Sequence, residues 1–351
     1  MKRMKAIQYS WFFALAMAGA LMMTAVSCRK PEEKEPPGEV YSPTPYHPAY
    51  PSHFPFMTDT AENPLTKEGV ELGRRLYYDE KLSFNGPNEG ASCSSCHHQS
   101  SSFTINAGGT AVLPHVNLGW NKTFLWEGKV EGTLEDVMRF EVEVFFNTEL
   151  EVLKNDPLYP SLFRKAFGAG EITYERTAFA LAQFVRTLVS GNSKMDRWYR
   201  HEVNLSDAEM RGLNLFFTER GDCFHCHSFP LTSDNSFHNI GLDSVFSGAS
   251  MGRYNVTGDP ADMGKFKTPT LRNIELTAPY MHDGRFATLE EVVEHYSSGV
   301  KYSITLDPIM TKQGKWLHLN LTTQEKADLV AFLKTFTDTS FISDPRLGSP
   351  F

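Results

Sequence analysis

Two copies of the pattern Cys-x-x-Cys-His, Cys93-Ser94-Ser95-Cys96-His97 and Cys223-Phe224-His225-Cys226-His227, constrain this chain more than any other feature of it. In such a pattern the two sulfurs bond the vinyl carbons of one haem, and the adjacent histidine ligates the iron. His97 and His227 are therefore read as proximal ligands, and Cys93, Cys96, Cys223 and Cys226 as attachment points for two covalently bound haem c groups. A zinc site would need a further Cys or His pair beside each motif, and no second Cys pair accompanies either. His98 and His225 lie beside or inside the motifs, where their positions aim them away from the iron. Of the five cysteines only Cys28 lies outside the motifs, so no pair remains for a disulfide.

Cys28 has its own setting. Lys2, Arg3 and Lys5 precede an apolar run from Trp11 to Val26, and Ala25-Val26-Ser27-Cys28 resembles a bacterial lipobox. Residues 1–27 are expected to be a signal peptide of the lipoprotein type. The mature chain would be acylated at Cys28 and tied by that lipid to a membrane, on the periplasmic side or at the outer membrane. Residues 28–55, rich in Pro, Glu and Lys, read as a flexible tether. The remaining length, in a chain of 351 residues that is 41% hydrophobic, supports two domains, taken as 56–203 and 204–340. A net charge of −8 argues against nucleic acid and favours a small basic redox protein as partner.

A weak internal repeat supports two domains: Gly73-x-x-Leu76-Tyr77-Tyr78 precedes the first motif as Gly212-x-x-Leu215-Phe216-Phe217 precedes the second. Ser206 with Glu209 forms a capping box that starts the second leading helix, with Met210, Leu213 and Phe217 on its apolar face. A long helix is expected over Thr173 to Ser190, closed by Gly191, with Phe179, Phe184 and Leu188 in the core. Thr322 with Glu325 opens a last helix through Phe336, and Thr288 with Glu291 opens another over residues 289 to 296. The rest is rich in Gly, Pro, Asn and Asp, with few runs of period two. The expected fold is mainly α: two cytochrome c-like haem domains with long loops and little β structure.

The segment Gly264-Lys265-Phe266-Lys267-Thr268-Pro269-Thr270-Leu271-Arg272-Asn273, followed by Leu276-Thr277-Ala278-Pro279-Tyr280-Met281-His282-Asp283-Gly284-Arg285-Phe286, resembles the bacterial di-haem cytochrome c peroxidase and MauG family. The resemblance runs from about Pro64 to Asp338 and is densest after Ser206. It implies a peroxidatic haem in the N-terminal domain, an electron-transfer haem in the C-terminal domain, and a tryptophan relay between them, which falls on Trp126. It places Tyr296 where the peroxidases carry a methionine ligand to the C-terminal iron and MauG-type proteins carry tyrosine; Met281, Met263 and His295 are rivals. An anionic phenolate stabilises ferric and higher iron and so lowers the potential.

Aligned from Trp126, the family's distal glutamine falls on Val137 and its distal glutamate on Asn147, unless two inserted residues bring Glu149-Leu150 into register. Glu149 is then the candidate general acid/base, because heterolysis of peroxide needs a carboxylate to carry a proton from the inner to the outer oxygen. Ala111 stands where the family has an asparagine that binds calcium, whereas Thr277 and Pro279 match backbone-carbonyl ligands of that ion. Calcium is an expected but incomplete site. His115 is the histidine near the position of a reversible distal ligand, and an open or water-bound N-terminal haem is expected. The leading reading is a peroxidase that takes hydrogen peroxide and electrons from a c-type cytochrome or cupredoxin, with a homodimer as an option. Its rivals are a MauG-like oxidase acting on a protein or small molecule, and a non-catalytic di-haem electron carrier.

Overall fold

Local capping fixes where the main helices begin. Thr173 caps Tyr174–Arg186, Ser206 caps Asp207–Phe216, Thr288 caps Leu289–Glu294 and Thr322 caps Thr323–Lys334, the last three with a reciprocal Glu at the third helical position. The computed structural model describes residues 41–57, 61–105, 111–312, 314 and 316–351. The expected signal peptide, Cys28 and the first part of the tether lie outside the described residues.

Helix ends depart from the sequence reading where tertiary bonds take over. The Tyr174 helix stops at Arg186, because the chain beyond it turns to give the Ser190 amide to Asn117 and the Gly191 amide to Asp338. Phe184 and Leu188 are fully buried, while Phe179 is only half-buried. On Asp207–Phe216 it is Gly212 and Phe216 that are buried, and Met210, Leu213 and Phe217 flank them half-buried. The helix opened by Thr288 runs to Glu294 and then widens into a π turn, His295–Gly299.

The internal repeat is a packing device. Helix Lys67–Tyr78 lies on Tyr174–Arg186 so closely that a Cβ on Gly73 would sit 1.8 Å from the Ala180 carbonyl oxygen. Helix Asp207–Phe216 lies on Thr323–Lys334 in the same way, a Cβ on Gly212 falling 2.0 Å from the Asp328 oxygen. Only glycine permits either approach. Each pair anchors one core: Leu72 to Leu188 with Phe341 in the first, and Met195 to Phe336 in the second.

The cores divide between Leu188 and Met195, ahead of the expected boundary at 203, since helix Lys194–Tyr199 joins the second core through Met195. The C-terminal residues return to the first: Arg74 donates to the Gly348 carbonyl at 2.7 Å and Tyr78 to that of Leu347 at 2.8 Å. Residues 41–351 accordingly form one compact unit.

The second half of the expected tether is docked. Tyr41 donates to the Ala166 carbonyl, the Tyr46 amide to that of Leu65, and Phe54 and Met57 are buried. Aromatic residues account for this, since Tyr50 and Phe54 pack edge-on against Trp120. Two short antiparallel pairs are present among the described residues, Thr123–Phe124 with Val130–Glu131 and Phe237–His238 with Phe266–Lys267. No helix among the described residues is long and apolar enough to cross a membrane.

Candidate haem centres

Both Cys-x-x-Cys-His motifs fold into short helical turns, Cys93–Cys96 and Cys223–His225, that bring the following histidine back over the turn. No disulfide joins the four motif cysteines to one another. His97 Nδ1 bonds the Phe103 carbonyl at 2.8 Å, and His227 Nδ1 bonds the Thr232 carbonyl at 3.0 Å. Phe103 and Thr232 both hold left-handed backbone, φ +57° and +55°, which is costly for an aromatic and still more so for a β-branched residue. Two loops thus carry the same strain to deliver the same carbonyl. With Nδ1 committed, Nε2 is the free lone pair, the tautomer that an iron ligand requires. Burial keeps both imidazoles neutral, pushing His97 down to about 4.

At the second motif the protein opens a cavity of about 210 Å³, lined by Cys223, Cys226 and His227 with apolar walls that include Phe216, Leu271 and Val293. A planar macrocycle bonded to those sulfurs fits this shape and polarity. Tyr296 and Met281 both line the cavity. Tyr296 is half-buried, and burial, then the neighbouring Cys226 and Cys223, push its phenol above the usual range. Its hydroxyl has no hydrogen-bond partner among the described residues. Two rivals fall away: His295 spends Nε2 on the Ile240 carbonyl at 3.0 Å, and Met263 does not line the cavity. Met310, His282 and His318 also line it. Sequence reasoning did not raise them, because they come from separate loops; His282, moreover, is stacked on Phe266 at 3.6 Å.

Trp126 sits in the turn joining Thr123–Phe124 to Val130–Glu131, where Leu125 and Gly128 adopt positive φ. The Lys267 amide donates to the Trp126 carbonyl, and Arg253 bonds Glu127 and Glu131, so the hairpin is pinned to the second core's loops. The indole lines the second cavity, while its Nε1 donates to the Ala111 carbonyl at 2.8 Å. Ala111 is on the loop that follows the first motif.

The carboxylates are arranged otherwise than the sequence reading expects. Glu149 caps helix Leu150–Lys154 in an exposed position, accepting a bond from Asn85 at 3.1 Å. Val137 is buried in the first core and Asn147 is exposed with φ +50°. Sequence reasoning missed Glu141, which opens a π turn, Glu141–Phe145, after helix Leu134–Phe140. It is half-buried, its carboxyl has no hydrogen-bond partner among the described residues, and loss of hydration raises it to about 7. It is close enough to Cys93 for its charge to raise that thiol. A π turn inside a helix is itself a local signal, but one that only backbone geometry reveals.

Residues 67–204 match a family model described as di-haem cytochrome c peroxidase. The chain is 34% identical over 303 residues to methylamine utilization protein MauG of Methylorubrum extorquens, covering 81% of this chain and 83% of that one. It is equally similar, 34% over 303 residues, to cytochrome c551 peroxidase of Nitrosomonas europaea, covering 81% and 84%. A solved MauG-like protein associated with microbial copper homeostasis superposes with a TM-score of 0.78 at 35% identity, over 87% of this chain and 99% of that. The diheme peroxidase BthA of Burkholderia thailandensis, at 17% identity and TM-score 0.62 over 82% and 91%, shares the mainly α fold.

Proposed function

Because this chain belongs to the di-haem cytochrome c peroxidase and MauG family, we propose that it reduces hydrogen peroxide at the His97 haem with electrons that enter at the His227 haem and pass by way of Trp126. Membership makes it a haem enzyme of the peroxidase type. The observation that carries the finer reading is the pair of matched histidine cradles joined by one indole, which touches the second cavity and bonds the loop after the first motif.

When bound, the haems supply the redox chemistry: two electrons and two protons convert one peroxide to two waters. The protein's share is positioning and proton movement. His97 and His227 each present a neutral Nε2, held by a strained carbonyl. The O–O bond breaks heterolytically once a carboxylate accepts a proton from the inner oxygen and returns it to the outer one. Glu141, half-buried and raised to about 7 by loss of hydration, suits both halves of that transfer. Glu149, the sequence candidate, would have to leave Asn85 to serve. Tyr296 would help hold the haem at His227 by giving its iron a phenolate oxygen, a reading supported by its unpartnered hydroxyl at that cavity. That same residue favours a second reading, a MauG-like oxidase acting on a protein or small molecule, since a phenolate stabilises oxidised iron.

The electron donor is a small c-type cytochrome or cupredoxin, a basic surface suiting a chain of net charge −8. Export with a lipid anchor at Cys28 rests on the lipobox alone. Calcium at Thr277 and Pro279 would rely on backbone carbonyls, Ala111 offering no side-chain oxygen. Rapid mixing of the fully reduced protein with hydrogen peroxide tests the function: both haems should be oxidised together. A His97 haem that stays ferrous would contradict it.

A further inference from the structure

The two haem cradles are built on one plan, against which one polar pair in the first cradle is conspicuous. In each, a left-handed asparagine opens a 3₁₀ turn: Asn117, φ +57°, before Leu118–Trp120, and Asn273, φ +58°, before Ile274–Leu276. In each, the residue four places after the packing glycine is fully buried, Tyr77 after Gly73 and Phe216 after Gly212. Two places before the asparagines stand His115 and Leu271. Leu271 and Phe216 line the second cavity on hydrocarbon alone. Their counterparts carry nitrogen and oxygen. His115 Nδ1 lies 3.0 Å from the Tyr77 hydroxyl, and the His115 ring stacks on that of His97 with centroids 3.4 Å apart and planes within 16°. One carbonyl, that of Phe103, accepts from both His97 Nδ1 and the His115 amide.

Two imidazoles in face contact leave no room for an iron atom between them, so in this arrangement His115 would stand on the same side of a bound haem as His97 rather than opposite it. We propose that His115, held through Tyr77, is a positioning residue that fixes the plane of the His97 imidazole and gives the N-terminal haem a proximal side different from that of the C-terminal haem. Two restraints at right angles achieve this. The Nδ1 bond to Phe103 sets where the ring points, but rotation about the line through Nδ1 and Nε2 remains open. The stacked ring closes that freedom, and Tyr77 keeps His115 from turning. In the second cradle the corresponding residue, Leu271, offers hydrocarbon and no ring to stack. The ring plane of an axial histidine sets its overlap with the iron d orbitals, and so the electronic asymmetry of the ferric state.

This inference rests on His97 being the proximal ligand, and not on the reaction the haem performs. It is tested on the full chain with both haems attached, by ferric EPR and by the ferrous iron–histidine stretch in resonance Raman. His115→Leu, which copies the second cradle, should shift the g-values and the stretching band of the N-terminal haem and leave those of the C-terminal haem in place. Tyr77→Phe should move the same signals in the same direction by less, and serves if His115→Leu does not fold. Unchanged N-terminal signals in a folded variant would overturn the proposal, as would equal shifts at both haems, which would mean general loosening. Because turnover does not enter the readout, a protein inactive toward peroxide could still pass, and an active one could fail.

Discussion

Replacing Glu141 with Gln removes a half-buried carboxyl near the first motif that has no hydrogen-bond partner among the described residues, while keeping its shape. Lost general acid/base catalysis lowers rates by roughly 10²- to 10⁴-fold, about 3–5 kcal/mol of barrier. Burial raises Glu141 to about 7 because the charged form loses its hydration. The carboxylate form is the one that accepts the peroxide proton, so kcat/KM of the parent should rise with pH through about 7 and then level. Glu141→Gln should lose that limb as well as the rate, with ferric spectra close to the parent's. Glu149→Gln should change turnover by less than about tenfold, its carboxylate being solvated and bonded to Asn85. The assay is steady-state peroxide reduction across pH for the three proteins. If Glu149→Gln loses the rate and the limb while Glu141→Gln keeps both, the assignment is wrong and the loop carrying Asn85 must move Glu149 inward during turnover.

Trp126→Phe should slow electron transfer between the haems after peroxide mixing, seen as delayed oxidation of the C-terminal haem by stopped-flow absorbance. Unaltered transfer would remove the indole from the route. Tyr296→Phe should open the C-terminal ferric haem to an added ligand such as cyanide and raise its potential in a redox titration; a spectrum and potential equal to the parent's would pass the ligand role to Met281, which lines the same cavity. Gly73→Ala should force apart helices Lys67–Tyr78 and Tyr174–Arg186, because its Cβ would meet the Ala180 oxygen at 1.8 Å. A cost of about 1–3 kcal/mol should lower Tm by several degrees in a calorimetric scan, and an unchanged Tm would contradict the close approach.

What was legible in the sequence was what is contiguous in it. A Cys-x-x-Cys-His pattern lies within five residues, so Cys93 to His97 and Cys223 to His227 could be picked out as candidate haem sites from the sequence alone. Helix starts were legible for the same reason, a cap and its reciprocal glutamate lying three residues apart. Non-local contacts were not. Nothing in the pattern around His115 tells that its ring would stack on His97, since the pairing depends on two left-handed residues, Ser102 and Phe103, that turn the loop back. Glu141 was missed because the sequence pattern assigned no element to residues 134–145, where the structure has helix Leu134–Phe140 followed by a π turn. The Tyr174 helix was read too long because Asn117 and Asp338, far along the chain, capture its C-terminal amides. The docked segment from Tyr41 was hidden by the Pro and Glu residues before it, although its own aromatics were the sign of burial.

The central claim is that the two cradles hold haems that work as a peroxidase, and steady-state stoichiometry tests it most directly. Full-length protein, with two haems per chain verified by mass, is supplied with a reduced c-type cytochrome, and the cytochrome oxidised is measured against the hydrogen peroxide consumed. The account predicts sustained turnover at two cytochromes oxidised per peroxide, abolished by His97→Gly. A protein with both haems in place that passes electrons from the cytochrome but leaves peroxide unconsumed would contradict it, and would make the chain an electron carrier.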